Sequence, residues 1–176
     1  YAWGEPVYVG LLIISTIFNY FTGIQIEKAD QNIKKKKAIL TIGIILNLLM
    51  LVVFKYTNFL IETINLVLIH DIPLTKITLP IGISFFTFQT MSYIIDVYRK
   101  NAKAQKNYIN FGTYVALFPQ LIAGPIVRYN SIDAQLTKRR ETIEGFTKGV
   151  ICFSSGLAKK VLLANNIGML LCTVYN

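Results

Sequence analysis

The sequence predicts an all-α integral membrane protein, a multi-helix bundle with one broken, re-entrant segment. Three observations carry this expectation. Hydrophobic residues make up 53% of the 176 and charged residues only 15%, well below the quarter usual in soluble proteins. Uncharged runs recur at about the 20-residue length that a spanning helix needs. The cations sit in short clusters between those runs, at residues 34–37, 99–106 and 138–140, and not along one polar face. The net charge of +9 therefore fits loops resting on an anionic leaflet, where each cation contributes roughly 1 kcal/mol. It does not point to nucleic acid.

The first span is expected at 6–26, because no residue between Glu5 and Glu27 is charged. Tyr1 and Trp3 precede it, where aromatic rings favour the headgroup level. A loop with five lysines follows, over 27–37. The second span is expected at 38–60. Its uncharged stretch, 38–54, covers about 26 Å at 1.5 Å per residue, slightly short of a bilayer core, but Lys37 and Lys55 can snorkel outward. Beyond Tyr56 the chain stays apolar apart from Asn58, Glu62 and Asn65, and is expected to emerge along the interface. The loop around His70, Asp71 and Lys76 is poor in cations, so the positive-inside rule puts it outside and the lysine loop in the cytoplasm. The third span is expected at 77–98, with Pro80 in its first turn, where a missing N–H is no loss.

The fourth run, 107–127, is uncharged, yet basic clusters lie on both sides of it. A simple crossing would put Arg128, Lys138, Arg139 and Arg140 outside. Pro119, Gly124 and Pro125 also break its helical geometry. A segment that dips in from the cytoplasmic side and returns is expected, with a proline-kinked crossing as the alternative. Non-helical backbone at that depth needs protein or a water-filled cavity around it. Helices over 131–158 and 161–174 follow, the first cytoplasmic at its start. Gly145, Gly149, Cys152 and Gly156 form a small-residue face that permits close helix approach, and Lys159 and Lys160 interrupt the apolar run. With no internal repeat or low-complexity tract, residues 1–176 read as one piece of one transmembrane domain with both ends missing. Cys152 and Cys172 lack metal-ligand spacing and read as reduced packing residues; no metal site is expected.

Candidate chemistry is sparse. On the third span Gln89, Ser92, Asp96 and Arg99 share one face, and a polar stripe on a spanning helix must meet a cavity, a partner or the protein interior. Asp96 either does so or pairs with Arg99 or Lys100. Gln89 either lines a cavity or bonds a neighbouring helix. His70 is the only histidine, but it lies in a predicted outer loop and reads as solvated. Neither a serine-nucleophile motif nor a Gly-rich phosphate loop occurs.

Two stretches resemble the membrane-bound O-acyltransferase family. Leu79-Pro-Ile-Gly-Ile-Ser-Phe-Phe-Thr-Phe-Gln89, continued by Tyr93-Ile-Ile-Asp96-Val-Tyr-Arg99, is one. Phe118-Pro-Gln-Leu-Ile-Ala-Gly-Pro-Ile-Val-Arg128-Tyr129 resembles more specifically the alginate O-acetylation branch, as do Tyr1-Ala-Trp-Gly-Glu-Pro6, Phe54-Lys-Tyr-Thr-Asn58 and Gly156-Leu-Ala-Lys-Lys-Val-Leu-Leu-Ala164. The sibling branch that passes D-alanine to teichoic acids shares the Gly-Pro-x-x-Arg-Tyr core, but tends to carry an acid where this chain has Val127, and Ser-Ser-Gly in place of Ile122-Ala123-Gly124. The resemblance implies a bundle pierced by a funnel in a bacterial cytoplasmic membrane, and acetyl transfer from a cytoplasmic donor toward an alginate-like, capsule or peptidoglycan polysaccharide. No bound cofactor is implied. The donor would be acetyl-CoA or an acyl carrier thioester, and an extracytoplasmic transferase or esterase-like partner would complete the transfer.

The family's general base is a histidine in a Trp-x-x-Trp-His context. No such motif occurs here, so no catalytic residue is assigned and the chain alone is expected to be inactive. Pro119, Gln120, Gly124, Pro125 and Arg128 would shape the donor entrance, with Gln89 and Asp96 on the funnel side. Arg128 would either hold a donor phosphate through its bidentate fork or anchor the segment at the headgroups. Asn165-Asn166 stands where relatives often have an Asp, which weakens a charge-based role there. A transporter whose broken segment lines a substrate path is the alternative from another class, although nothing here repeats as paired halves would.

Overall fold

In a computed structural model, residues 6–66, 72–75, 78–117, 127–137 and 141–175 are described. All regular structure among them is helical. The chain divides into two compact units, Tyr1–Thr137 and Lys138–Asn176.

The first unit opens with α1, Pro6–Lys28. After a short turn α2, Ile33–Leu51, begins, and a π-helical turn, Val52–Tyr56, carries it into α3, Thr57–Asn65. The lysine cluster therefore lies inside α2, not in the preceding loop as expected. The reason is local: Asn32 is an N-cap whose side chain accepts the Lys35 N–H at 3.0 Å, and lysine is a good helix former. From Ile33 to Asn65 the helical run is 33 residues, about 50 Å, longer than the expected 38–60.

α3 ends against extended chain that it supplies with hydrogen bonds. The Asn58 amide donates to the Thr75 carbonyl at 3.1 Å, and its oxygen accepts the Thr75 N–H at 3.0 Å. Asn65 repeats the pattern with Ile72, at 3.0 and 2.9 Å. These asparagines, which look like interruptions in an apolar run, take the place of a neighbouring strand for backbone that has none.

α4 is Ile83–Tyr98, which corrects the expected 77–98. Pro80 is not in its first turn: its carbonyl accepts the Ile83 N–H at 3.2 Å, and Gly82 precedes the helix at φ 74°, a left-handed conformation glycine adopts without penalty. At 16 residues α4 is about 24 Å long. It is the hub of the unit, with α1, α2, α5 and α6 packed around it, where α5 is Tyr108–Ala116 and α6 is Tyr129–Thr137. Ile83, Phe86, Tyr93, Ile94 and Val97 are its buried apolar residues.

Two contacts fix how the long helices meet α4 and each other. A Cβ on Gly23 would lie 2.6 Å from the Tyr93 hydroxyl oxygen and 2.7 Å from its Cε1, so α1 reaches the Tyr93 ring only because residue 23 has no side chain. Between α1 and α2, Asn19 and Asn47 exchange amide hydrogen bonds of 3.1 and 2.9 Å. Each also donates within its own helix, Asn19 to the Ser15 carbonyl and Asn47 to the Gly43 carbonyl. Inter-helical pairs of this kind are worth about 0.6 kcal/mol in a bilayer, while leaving one partner out strands a buried amide.

The second unit is one helical run of α7, Ile143–Ala158, a π-helical turn, Lys159–Ala164, and α8, Asn165–Tyr175. The expected helices at 131–158 and 161–174 are thus redivided. α6 stops at Thr137, and Thr142 caps a new start by accepting the Gly145 N–H at 3.1 Å. Lys159 and Lys160 fall in the π-turn and do not break the helix. Within this unit a Cβ on Gly149 or Gly156 would meet nothing within 4 Å, so the small-residue face is unused there. Among the described residues three helical runs are long and apolar enough to cross a membrane, Tyr8–Lys28, Ile33–Asn65 and Ile143–Val174. This is a membrane protein.

Replacing Gly23 by Ala should cost about 1–3 kcal/mol, the usual range for overpacking. In thermal melts of the detergent-solubilised full-length protein we expect a lowered midpoint, and a smaller drop when Gly23→Ala is introduced into a Tyr93→Leu background than into the wild type. An equal drop in the two backgrounds would show that the two residues do not meet.

Candidate functional site at the α4–α5–α6 junction

The loop between α4 and α5 is extended, and each neighbouring element contributes a side chain to satisfy it. Glu27 of α1 accepts the Ala104 N–H at 3.2 Å, and Tyr20 donates to the Lys106 carbonyl at 2.6 Å. Tyr93 of α4 accepts the Gln105 N–H at 3.0 Å. The Gln105 side chain donates to the Tyr129 hydroxyl at 2.7 Å, and that hydroxyl donates to Asp133 at 2.5 Å. Burial, and then the bond to the Asp133 carboxylate, push the Tyr129 phenol well above its ordinary value. Tyr93, Phe111, Tyr114 and Tyr129 stack behind this chain of bonds, with ring centroids 4.6–6.1 Å apart, a spacing that favours edge and tilted contacts.

The two flanks of the 107–127 run meet at this place. α5 has nine residues, about 14 Å, and ends at Leu117 with extended backbone. The Tyr114 hydroxyl donates to the Val127 carbonyl at 2.9 Å, and Gln105 reaches Tyr129. A cavity of about 280 Å³ opens beside them, lined by Glu27, Lys103, Gln105, Lys106, Tyr129 and Asp133.

Of the site residues expected from sequence, Gln89 is buried and donates to the Tyr114 carbonyl at 2.9 Å, which ties α4 to α5. Asp96 is 5% exposed and its Oδ2 is buried without a hydrogen-bond partner. It does not pair with either neighbouring cation among the described residues. Arg99 is exposed, and Lys100 turns instead to Asp30 at 2.7 Å. Arg128 is exposed at the entry to α6, where its carbonyl accepts from the Ser131 hydroxyl at 2.7 Å. Pro119, Gln120, Gly124, Pro125 and His70 lie outside the described residues. Sequence reasoning missed Gln105, Glu27 and Asp133. Only the conspicuous Arg128-Tyr129 motif signalled this neighbourhood.

Next to the junction, Asp30 in the α1–α2 turn receives Lys36 and Lys100, both at 2.7 Å. Lys100 stands at φ 63° as the left-handed residue closing α4. Its N–H bonds the Val97 carbonyl at 3.1 Å, and the Asn101 N–H bonds the Asp96 carbonyl at 2.9 Å, a Schellman closure that usually takes glycine. A second cavity, about 240 Å³, lies among Glu27, Asp30, Lys36, Lys100 and Lys103.

Comparison with known proteins decides the relationship. The chain is 38% identical over 171 residues to the probable alginate O-acetylase AlgI of Azotobacter vinelandii, covering 95% of this chain and 34% of that one. It is 38% identical over 174 residues to the protein of the same name from Pseudomonas aeruginosa, covering 97% and 34%. The chain is a homologue of the AlgI-like O-acetylases. A peptidoglycan O-acetyltransferase of Helicobacter pylori is 31% identical over 193 residues, covering 94% of this chain and 36% of that one. The chain therefore spans about a third of the length of the curated relatives it matches. No protein-family profile and no solved structure matches it.

The bonds to Lys100 and Lys36 hold the Asp30 carboxyl below its ordinary value of 3.8. A depressed folded-state value gives stability that is present above the unfolded value and lost as pH falls through the folded one. We expect acid titration of the protein to show this loss below 3.8, and the Lys100→Met variant to show a smaller loss, completed nearer 3.8, because its Asp30 carboxyl is less depressed. An unchanged acid profile in that variant would remove Lys100 from the triad.

Proposed function

We propose that this chain is part of a multi-pass acetyltransferase of the bacterial cytoplasmic membrane that moves acetyl groups from a cytoplasmic donor toward an extracytoplasmic polysaccharide. The observation that carries this reading is the 31–38% identity, over almost the whole chain, to proteins named for O-acetylation of alginate and of peptidoglycan. Those names favour an acetyl group over the D-alanyl group of the sibling branch, and an enzyme over a transporter. The donor is a thioester, acetyl-CoA or an acyl carrier, and an extracytoplasmic transferase or esterase-like protein receives the acetyl group. The general base is a histidine of the longer protein.

In this reading the 107–127 segment is re-entrant from the cytoplasmic side. The hydrogen bonds from Tyr114 to Val127 and from Gln105 to Tyr129 support it, because they join the two flanks of the segment at one place. Gln89 and Asp96 face the same junction from α4. The Arg128 guanidinium, exposed at the entry to α6, contacts a phosphate of the donor in the bidentate manner open to arginine but not to lysine. Lys103 and Lys106 line the adjoining cavity together with Glu27 and Asp133, so its formal charges balance and Arg128 is the cation that distinguishes this entrance for a phosphate.

In the full-length protein, Arg128→Ala should lower polysaccharide acetylation at least tenfold without removing the protein from the membrane, and Arg128→Lys should not restore it. Wild-type acetyl content in the alanine variant, measured on isolated polymer, would end the donor-contact role. Cysteines replacing Lys103 and Lys138 should react with an impermeant maleimide from the same, cytoplasmic face. Labelling from opposite faces would replace the re-entrant segment with a full crossing.

A further inference from the structure

We propose that the crease between α1 and α2 is a binding site for an anionic phospholipid, with an acyl chain along the groove and the phosphate held between Lys28 and Lys35. Two adjoining cavities form the crease. One, about 230 Å³, is walled by Phe18, Phe21, Ile39 and Ile42 over a floor of Thr22 and Gly43. The other, about 190 Å³, continues it to the lysine-rich end between Lys28 and Lys35. Gln25 and Ile39 line both, so the apolar groove runs without a break into a basic mouth.

The groove lies between two of the helical runs long and apolar enough to span, Tyr8–Lys28 and Ile33–Asn65, so its walls stand at acyl-chain depth. Its floor is low because residue 43 lacks a side chain. A Cβ there would lie 3.0 Å from the Thr22 methyl and 3.1 Å from Ile94 Cδ1. α2 thus sits deep against α1 and α4, while the flanking Phe21 and Ile42 remain 55% and 56% exposed.

Charge assigns the occupant. The lysines of this end divide by task. Lys36 and Lys100 turn to Asp30, while Lys28 and Lys35 have no carboxylate partner among the described residues and flank the groove mouth. Two free ammonium groups at the end of an apolar channel complement a lipid phosphate with its chain. A zwitterionic headgroup would bring its own cation to the same place, and an apolar helix would leave both lysines unmatched. Lys34 and Lys37 carry the same charge but line neither cavity, which provides an internal control.

The test uses the full-length protein, purified in mild detergent and loaded with phosphatidylglycerol or phosphatidylcholine, with retained lipid counted by native mass spectrometry. Wild type should retain phosphatidylglycerol in preference to phosphatidylcholine. Lys28→Ala with Lys35→Ala should lower phosphatidylglycerol at least fivefold, and Lys34→Ala with Lys37→Ala should leave it within twofold. Equal loss in the two double variants, or no loss in either, overturns the site in favour of general leaflet attraction. A photo-crosslinking residue in place of Ile42 reads the groove independently of any lysine change. Capture of lipid supports the proposal, and capture of another stretch of polypeptide overturns it.

Discussion

The Tyr93 ring sits where four helices meet, and the absent side chain at Gly23 is the condition for its seat. α1 approaches closely enough for Tyr93 to fill the space between α1, α5 and α6, so the ring packs on Phe111 and Tyr129 while its hydroxyl accepts from the α4–α5 loop. Dispersion and aromatic packing hold the first unit together at this point, because hydrophobic burial gives no net drive between helices already solvated by hydrocarbon. A single methyl group at residue 23 would overlap the ring edge. The approach of α1 to α4, and through Tyr93 the position of the loop and α6, depends on that contact.

A second constraint follows from the medium. Where water is absent, each polar group must find a partner in the protein, and the polar residues within the spans do so at short range. Thr16, Thr22 and Thr90 return their hydroxyls to carbonyls four residues back at 2.7, 2.8 and 3.0 Å. Asn19 and Asn47 satisfy one another. Against that background the buried, unpartnered oxygens of Asp96 and Thr87 are exceptions, and both belong to α4. Unsatisfied buried polar atoms concentrate where function or further structure requires them, and here they mark the helix that carries the polar stripe.

Charge clusters and uncharged runs made the class of fold and the first helix legible in the sequence. α1 runs two residues beyond the expected end at 26, within ordinary boundary error. The lysine cluster misled because charge was read as loop, when Asn32 caps a helix that begins among the lysines. Pro80 misled because a proline suited to a first turn also suits the turn before it, and Gly82, one residue from the helix, was the better marker. The polar stripe of α4 was readable as a pattern. The destination of each side chain was not: nothing local told Lys100 to pass over Asp96 and reach Asp30, 70 residues away in sequence. Gln105 was invisible for the same reason, since its role consists of bonds to residues on other elements.

The short helices have a consequence for the middle of the unit. α4, at about 24 Å, and α5, at about 14 Å, are both shorter than a hydrocarbon core of roughly 30 Å. Neither stands in lipid by itself, because α1 and the 33-residue run through α2 and α3 flank α4. Beyond each end of α4 the chain is non-helical, and side chains of the neighbouring elements meet its backbone. Asn58, Asn65 and Tyr8 do so before α4, and Tyr20 and Glu27 after it, joined there by Tyr93 of α4 itself. Each of those bonds replaces one that a longer helix would have made internally. The fold thus substitutes side-chain partners for helical length, and this is the condition under which irregular backbone, and the polar cavity beside it, can lie next to membrane-spanning helices.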